Sequence, residues 1–220
     1  MNELIIFNSE VTKQLGAKFK EHNWSGVCPQ FYKRDIPNLI KCIEIRKSLD
    51  QDNFNVFVSI YANFSSSRSR IKQMLHTSNQ IFLVGLTPKG VSNTAYAWPI
   101  APYDDQPTQF NSLWESIAVH ATAFFDRFAN FPEEFLAIKP DDFKRGSLKL
   151  FNTYEVYNQV IYMNFLKEIH IALNHNELAA AFSELAIDRF HKNVKGKKHI
   201  QSKAYLKEYK KFLRGLEMPK

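Results

Sequence analysis

From Phe54 to Tyr61 the residues alternate: Phe54, Val56, Val58 and Ile60 fall on one side, and Asn55, Phe57, Ser59 and Tyr61 on the other. That period of two is the imprint of a strand packed on one face. Two more strand candidates precede it, Gln30 to Ile36 and Leu39 to Ser48, separated by Pro37-Asn38 and followed by the turn-forming run Asp50-Gln51-Asp52-Asn53. The connections are too short for crossover helices, so the three predict an antiparallel meander. Gln80 to Leu86 and Val91 to Trp98, joined by Thr87-Pro88-Lys89-Gly90, predict a further hairpin. Between the two groups Ser65 to Arg70 is polar, a loop leading into a short helix. Ahead of all of them, Asn8 or Ser9 is a candidate N-cap for a helix carrying Val11, Leu15 and Phe19, with Gly16 expected to end it early. Ala17 to Glu21 would then be a turn or first strand, and Trp24-Ser25-Gly26 a turn.

After Pro107 the period lengthens to 3.6. Phe110, Leu113, Trp114, Ile117, Ala121, Phe124, Phe125 and Phe128 fall within about 120° of one another at ~100° per residue, with Asn111, Glu115, Thr122 and Asp126 opposite. This predicts a long helix packed on a sheet, with Trp114 and Phe124 largely buried. Pro132-Glu133-Glu134 starts a short second helix, and Pro140 to Gly146 reads as a boundary. Three helical segments follow, at Tyr154 to Leu173, Glu177 to His191 and Ser202 to Leu216. The first two form an antiparallel hairpin through Asn174-His175-Asn176, with Leu178, Phe182, Leu185 and Ala186 as the apolar stripe of the second. The expected fold is therefore α+β: an antiparallel sheet of about five strands with flanking helices over residues 1–145, then a helical hairpin and a basic C-terminal helix over 146–220, packed on the first part.

Composition changes that picture in two ways. Nineteen Phe, nine Tyr and three Trp are enough to fill a core and leave aromatics for a recognition surface. Seven scattered glycines leave no room for glycine-rich phosphate loops, and no GxGxxG, Walker-type, HExxH, CxxC or GxSxG pattern is present. The first ten residues lack a signal-peptide core, and no stretch approaches the ~18 consecutive apolar residues of a membrane helix. Two cysteines, Cys28 and Cys42, make no disulfide framework, so buried structural thiols in a reducing, cytoplasmic setting are expected.

Titratable residues assemble no catalytic centre. His170 and His175, five apart, should point from different helix faces, which argues against metal ligation. His120 borders the Phe-rich stripe and reads as a half-buried packing residue. Glu115 and Asp126 share a helix face but lie about 16 Å apart at ~1.5 Å per residue, beyond either glycosidase geometry. Asp104-Asp105 and Asp141-Asp142 read as turn and cap residues. No metal and no cofactor is expected.

Charge supplies the one feature above background. Of the net +7, residues 191–220 hold +8, with ten Lys/Arg against Glu208 and Glu217, and the rest of the chain is near neutral. On a helix, Tyr205, Leu206, Tyr209, Phe212, Leu213 and Leu216 share one face, while Lys203, Lys207, Lys210, Lys211 and Arg214 cluster on an arc of about 100°. The bland account is a terminal helix docked by its aromatic face with solvated lysines outward. The functional accounts are an acidic protein partner or nucleic-acid phosphates.

Leu15-Gly16 with Lys18-Phe19-Lys20, Phe31-Tyr32-Lys33-Arg34, the strand with Ile43, Ile45, Lys47 and Ser48, the strand Phe54 to Ile60, Trp98-Pro99, and Phe125-Asp126-Arg127-Phe128 before Pro132-Glu133-Glu134-Phe135 together resemble the bacterial domain-of-unknown-function family numbered 4304, over residues 8–138. The chain departs from that pattern at Ala17, where an aromatic is expected, and in the length between Tyr61 and Gln80. The resemblance implies a small sheet with flanking helices and supplies no catalytic residues. By analogy it points to an interaction protein, such as an immunity protein that blocks a toxin. The expectation is thus a non-catalytic protein-binding domain. A nucleic-acid-associated protein is the alternative, and an enzyme with an unrecognised site around His120 and the loop acids is the third.

Overall fold

The computed structural model describes residues 3–49, 51–63, 80–156, 158–194 and 203–219, with side chains of the last stretch described from Lys210 onward. The loop and short helix expected after Ser65 lie outside them. The fold is α+β, and the chain forms two compact units: Met1–Phe131 with Thr153–Glu155, and Pro132–Asn152 with Val156–Lys220.

The first unit opens with α1, Glu3–Glu21, which buries Phe7, Val11, Leu15 and Phe19 at four-residue spacing. It begins before Asn8 and passes through Gly16, so Ala17 to Glu21 is helical rather than a turn or strand. What stops it is Asn23, whose φ of 62° is left-handed. The Trp24 N–H then bonds back to the Phe19 carbonyl at 2.9 Å and the Asn23 N–H to the Lys20 carbonyl at 3.0 Å. Phe19 and Trp24 meet with ring centroids 5.8 Å apart. These are the two bonds and the apolar contact of a Schellman cap, a stronger stop signal than an interior glycine.

The sheet has seven strands, two more than the alternation suggested. β1 (Ser25–Val27), β2 (Gln30–Lys33), β3 (Leu39–Lys47), β4 (Asn53–Ala62), β5 (Gln80–Thr87) and β6 (Gly90–Ser92) pair antiparallel in sequence order, and β7 (Ala97–Pro99) pairs with β4. β1 stands where a turn was expected. The single strand expected from Val91 to Trp98 is two, because the chain leaves β5 after Ser92 and returns to β4 at Ala97. Gly85 allows that departure: a Cβ there would lie 2.4 Å from the Thr94 carbonyl oxygen.

Register puts Ile43 opposite Val58 and Ile45 opposite Val56, and Phe82 opposite Ile60, all on one face. That face meets α1 through Phe7 on Phe54 (5.5 Å) and Phe19 on Phe31 (3.9 Å). It meets the long helix α2 through Phe82 on Phe124 (5.0 Å). α2 is α-helical over Gln106–Ser116, makes a π-turn over Ile117–Ala121 and is α-helical again over Thr122–Asp126. The Thr122 N–H reaches the Ile117 carbonyl, five residues back. Phe110, Leu113, Ile117, Ala121, Phe124, Phe125 and Phe128 are buried as the stripe predicted. Trp114 is half-buried instead, set edge-on against Phe19 at 5.2 Å.

In the second unit, α3 (Glu133–Leu136) and a 3₁₀ turn (Pro140–Arg145) precede an antiparallel pair, α4 (Gln159–Ala172) and α5 (Asn176–Val194), and then α6 (Lys203–Leu216). α4 starts later than Tyr154 because Asn158 caps it, its side chain accepting from the Val160 and Ile161 N–H groups. Phe135, Phe143, Tyr162, Phe165 and Phe182 fill the core. Among the described residues, no helix is long and apolar enough to cross a membrane.

Phe124 touches Phe82, Phe125, Phe128 and Tyr154 while only 3% exposed. Phe124→Ala should therefore cost about 3–5 kcal/mol in denaturant unfolding. A loss under about 1 kcal/mol would show that the stripe is not core.

Candidate functional site

The basic segment singled out by charge is helical as expected. Lys203, Lys207, Lys210, Lys211 and Arg214 all lie on α6. The side chains of Lys203 and Lys207 fall outside the described set, whereas those of Lys210, Lys211 and Arg214 are exposed. Among the described residues none of these three makes an ion pair. On the other side of the helix Phe212 packs on Phe190 of α5, centroids 4.9 Å apart, and Leu216 is buried.

What holds the end of α6 was not foreseen. Lys167, in the middle of α4, is 2% exposed, and its Nζ donates to the Gly215 carbonyl (2.7 Å) and the Glu217 carbonyl (3.2 Å) while pairing with Glu168 at 2.9 Å. Three N–H donors meet three acceptors, which a buried ammonium requires. Ser183 of α5 donates to the Leu216 carbonyl at 2.7 Å. Three carbonyls left open by the end of α6 are thus satisfied from α4 and α5, with a positive charge at the negative end of the helix dipole. A signal was present in the sequence. Val160, Ile161, Tyr162, Met163, Phe165, Leu166 and Ile169 cover α4 almost all round, and a lysine in a helix apolar on every side must be buried.

A second polar cluster, also unforeseen, lies on the face of the sheet away from α1 and α2. Glu44 is 1% exposed and accepts from the Tyr61 hydroxyl at 2.7 Å, from Ser59 at 3.5 Å and from the guanidinium of Arg46. The Gln80 amide donates to the Tyr61 and Ser59 oxygens at 3.1 and 3.3 Å. Burial, then the Glu44 charge, push the Tyr61 phenol well above its ordinary range. A fully satisfied network of this kind fixes the pairing of β3, β4 and β5. Its donors are spent on the carboxylate.

The histidines need a correction. His170 and His175 do not diverge: their Nδ1 atoms are 3.3 Å apart. Asn174 has a φ of 60°, the His175 N–H bonds to the His170 carbonyl at 2.8 Å and the Asn174 N–H to the Ile171 carbonyl at 3.0 Å. The Schellman cap that closes α1 also closes α4, and its apolar contact is here a pair of imidazoles. His170 stacks on Phe182 with centroids 5.5 Å apart, and its buried Nε2 has no partner among the described residues. A bare nitrogen there costs less than an unpaired N–H, so His170 carries its proton on Nδ1 and donates it to His175. Burial, then His175 and Lys139, lower the His170 pKa. Among the described residues no group of three or more His, Cys, Asp or Glu is placed to hold a metal ion.

The remaining candidates are structural. His120 is half-buried in the π-turn, with no hydrogen bond to a described residue. Asp142 accepts from the Lys139 N–H at 2.8 Å and Asp141 pairs with Lys144, the cap and turn roles expected of them. Asp105 stands at the N-cap position of α2. Both thiols are free and buried. Burial pushes Cys28 up to about 12, and burial with the Glu44 charge pushes Cys42 well above the thiol range, so both are held as thiols near neutral pH. Comparison with protein-family models, with curated proteins and with solved structures finds no match to this chain. The functional reading rests on the geometry of α6.

Removing the Lys167 charge while keeping its bulk, as in Lys167→Met, should cost about 3 kcal/mol. Hydrogen exchange should show the amides of α6 losing protection first, with the sheet amides unchanged. Equal loss in both would mean that Lys167 is not a local anchor. The histidine pair predicts a pH effect of definite sign. Because the folded-state pKa of His170 lies below its ordinary 6.5, the unfolded chain takes up a proton first as pH falls. Stability should be steady above about 6.5 and decline below it, through the folded-state value. Denaturant titration at pH 7.5 and 5.5 should show a smaller acid-side decline in His170→Leu than in the parent, and equal declines would dismiss the pair as its source.

Proposed function

We propose that this chain is a non-catalytic binding domain that docks an acidic protein partner on the basic face of α6, and that it acts as an immunity protein whose partner is a toxin it blocks. The observation that carries the binding reading is the pairing of an exposed cationic arc with a clamped helix end. Lys210, Lys211 and Arg214 stand in solvent, while Lys167 and Ser183 hold the carbonyls of Gly215, Leu216 and Glu217. A helix held in this way presents its charges without having to be ordered on binding, which lowers the entropy cost of association. The toxin-blocking role is an analogy drawn from the short sequence patterns within residues 8–138, to which no family model matches.

A protein partner is favoured over nucleic acid by what flanks the cations. Leu213 remains half-exposed next to Arg214, and an interface core uses such apolar area where a phosphate backbone offers none. Nucleic acid remains the second reading, because the same arc suits phosphates.

The test is affinity capture from the native host, identification of the bound protein, and reassembly from purified components. Lys210→Gln, Lys211→Gln and Arg214→Gln combined should weaken that complex about tenfold or more, flatten its salt dependence and leave the unfolding midpoint nearly unchanged. An identified partner that is a toxin should lose its activity on binding the parent but not the triple variant. Fluorescence anisotropy should show no micromolar binding of generic RNA at ~150 mM salt. Such binding, lost in the triple variant, would overturn the protein-partner reading in favour of nucleic acid.

A further inference from the structure

Behind Glu3, α1 opens with four consecutive apolar residues, Leu4, Ile5, Ile6 and Phe7. At ~100° per residue they point in nearly every direction around the axis, so no single packing surface can cover them all. The sheet takes Phe7, which is 8% exposed, and leaves Ile5 at 61% and Ile6 at 50%. Leu49, in the turn after β3, is 85% exposed, two residues beyond Lys47, which pairs with Glu3 at 3.3 Å. The Lys47–Glu3 pair ties the start of α1 to the end of β3.

Beside it runs a groove of about 290 Å³. Its floor is apolar, made of Ile6, Phe7, Ile100 and Phe110. Its walls are fixed: the Ile100 N–H bonds to the Asp52 carbonyl at 2.9 Å, and the Gln109 side chain binds the Ala101 N–H at 3.0 Å and the Pro99 carbonyl. The lining also carries three carboxylates, Glu3, Glu10 and Asp52, against the single ammonium of Lys47, which pairs with Glu3, while Glu10 accepts from the Gln14 amide at 2.7 Å. Lys13 reaches Glu10 at 3.8 Å from outside the groove and is 70% exposed, so it swings away at little cost.

We propose that this surface docks a basic, amphipathic helical segment of a partner protein, apolar residues entering the groove and Lys or Arg meeting Glu3, Glu10 and Asp52. An apolar floor with acidic lining residues selects that chemistry: acidic segments are repelled and purely polar ones leave the floor wet. The proposal is independent of the reading of α6, since it concerns residues of the first unit and the opposite charge.

The probe is a fluorescein-labelled helical peptide built from Leu and Lys alone, Leu on one face and Lys on the other, a sequence this chain does not contain. Anisotropy with the full-length protein should give a dissociation constant of about 10 µM, weakening as salt rises. Ile5→Ser with Ile6→Ser should weaken binding about tenfold, and Glu3→Gln with Asp52→Asn should weaken it severalfold and flatten the salt dependence. All four positions are at the surface, and unchanged circular dichroism and melting temperature confirm that the variants fold. No binding by about 1 mM peptide, equal binding of a peptide with its basic residues replaced by Glu, or affinity unchanged in either variant would overturn the proposal. So would a concentration-dependent dimer in sedimentation that Ile5→Ser dissolves, because that result assigns the patch to a second copy of the chain.

Discussion

Lys167 carries a full charge into a helix that is otherwise apolar on nearly every side, and it stays there only because three acceptors converge on it. Each acceptor has a consequence. The two carbonyls fix where α6 ends, and with Ser183 on the third they hold its terminal turn on the α4–α5 pair. Glu168 balances the charge locally, so the ammonium is not left to attract water into the core. The basic arc of α6 is the other half of that arrangement. A helix anchored through backbone carbonyls needs no side-chain ion pairs to stay in place, and Lys210, Lys211 and Arg214 stand in solvent.

The strand region was legible because it obeys one period with one buried face. The meander over Gln30, Leu39 and Asn53 follows from alternation and short turns, and the α2 stripe from Phe110 to Phe128 follows from spacing. The reading failed where a backbone conformation rather than a side-chain pattern decided the outcome. Gly16 reads as a helix breaker, yet the chain turns at Asn23, and the one strand expected from Val91 to Trp98 is split by a crossing that Gly85 permits. The same failure separated His170 from His175. Five residues apart on a helix they would diverge, but a left-handed asparagine between them turns the chain back on itself. Phe19 and Trp24 stand in the same relation around Asn23. A five-residue spacing with asparagine in its fourth step is therefore readable, once it is taken as a cap instead of a helix face.

Of the candidate site, the cations were legible and the anchor was not. Charge bias alone marks Lys203 to Arg214, since counting needs no geometry. Lys167 binds residues 48 and 50 positions away, and Glu44 of β3 takes the Tyr61 hydroxyl of β4, which in turn accepts from Gln80 of β5. Such partners are fixed by tertiary register, which no local period contains. In both cases a charged residue within a buried run gives notice that a partner must exist, without saying which.

The π-turn at Ile117–Ala121 interrupts α2 between Phe110 and Phe124, and both lie buried on the sheet. There the Thr122 N–H reaches five residues back to the Ile117 carbonyl, and Val119 stands toward solvent. The aromatic row thus crosses a break in the four-back ladder of the helix. Packing on the sheet, and not an unbroken run of helical bonds, is what keeps the two arms of α2 in one line.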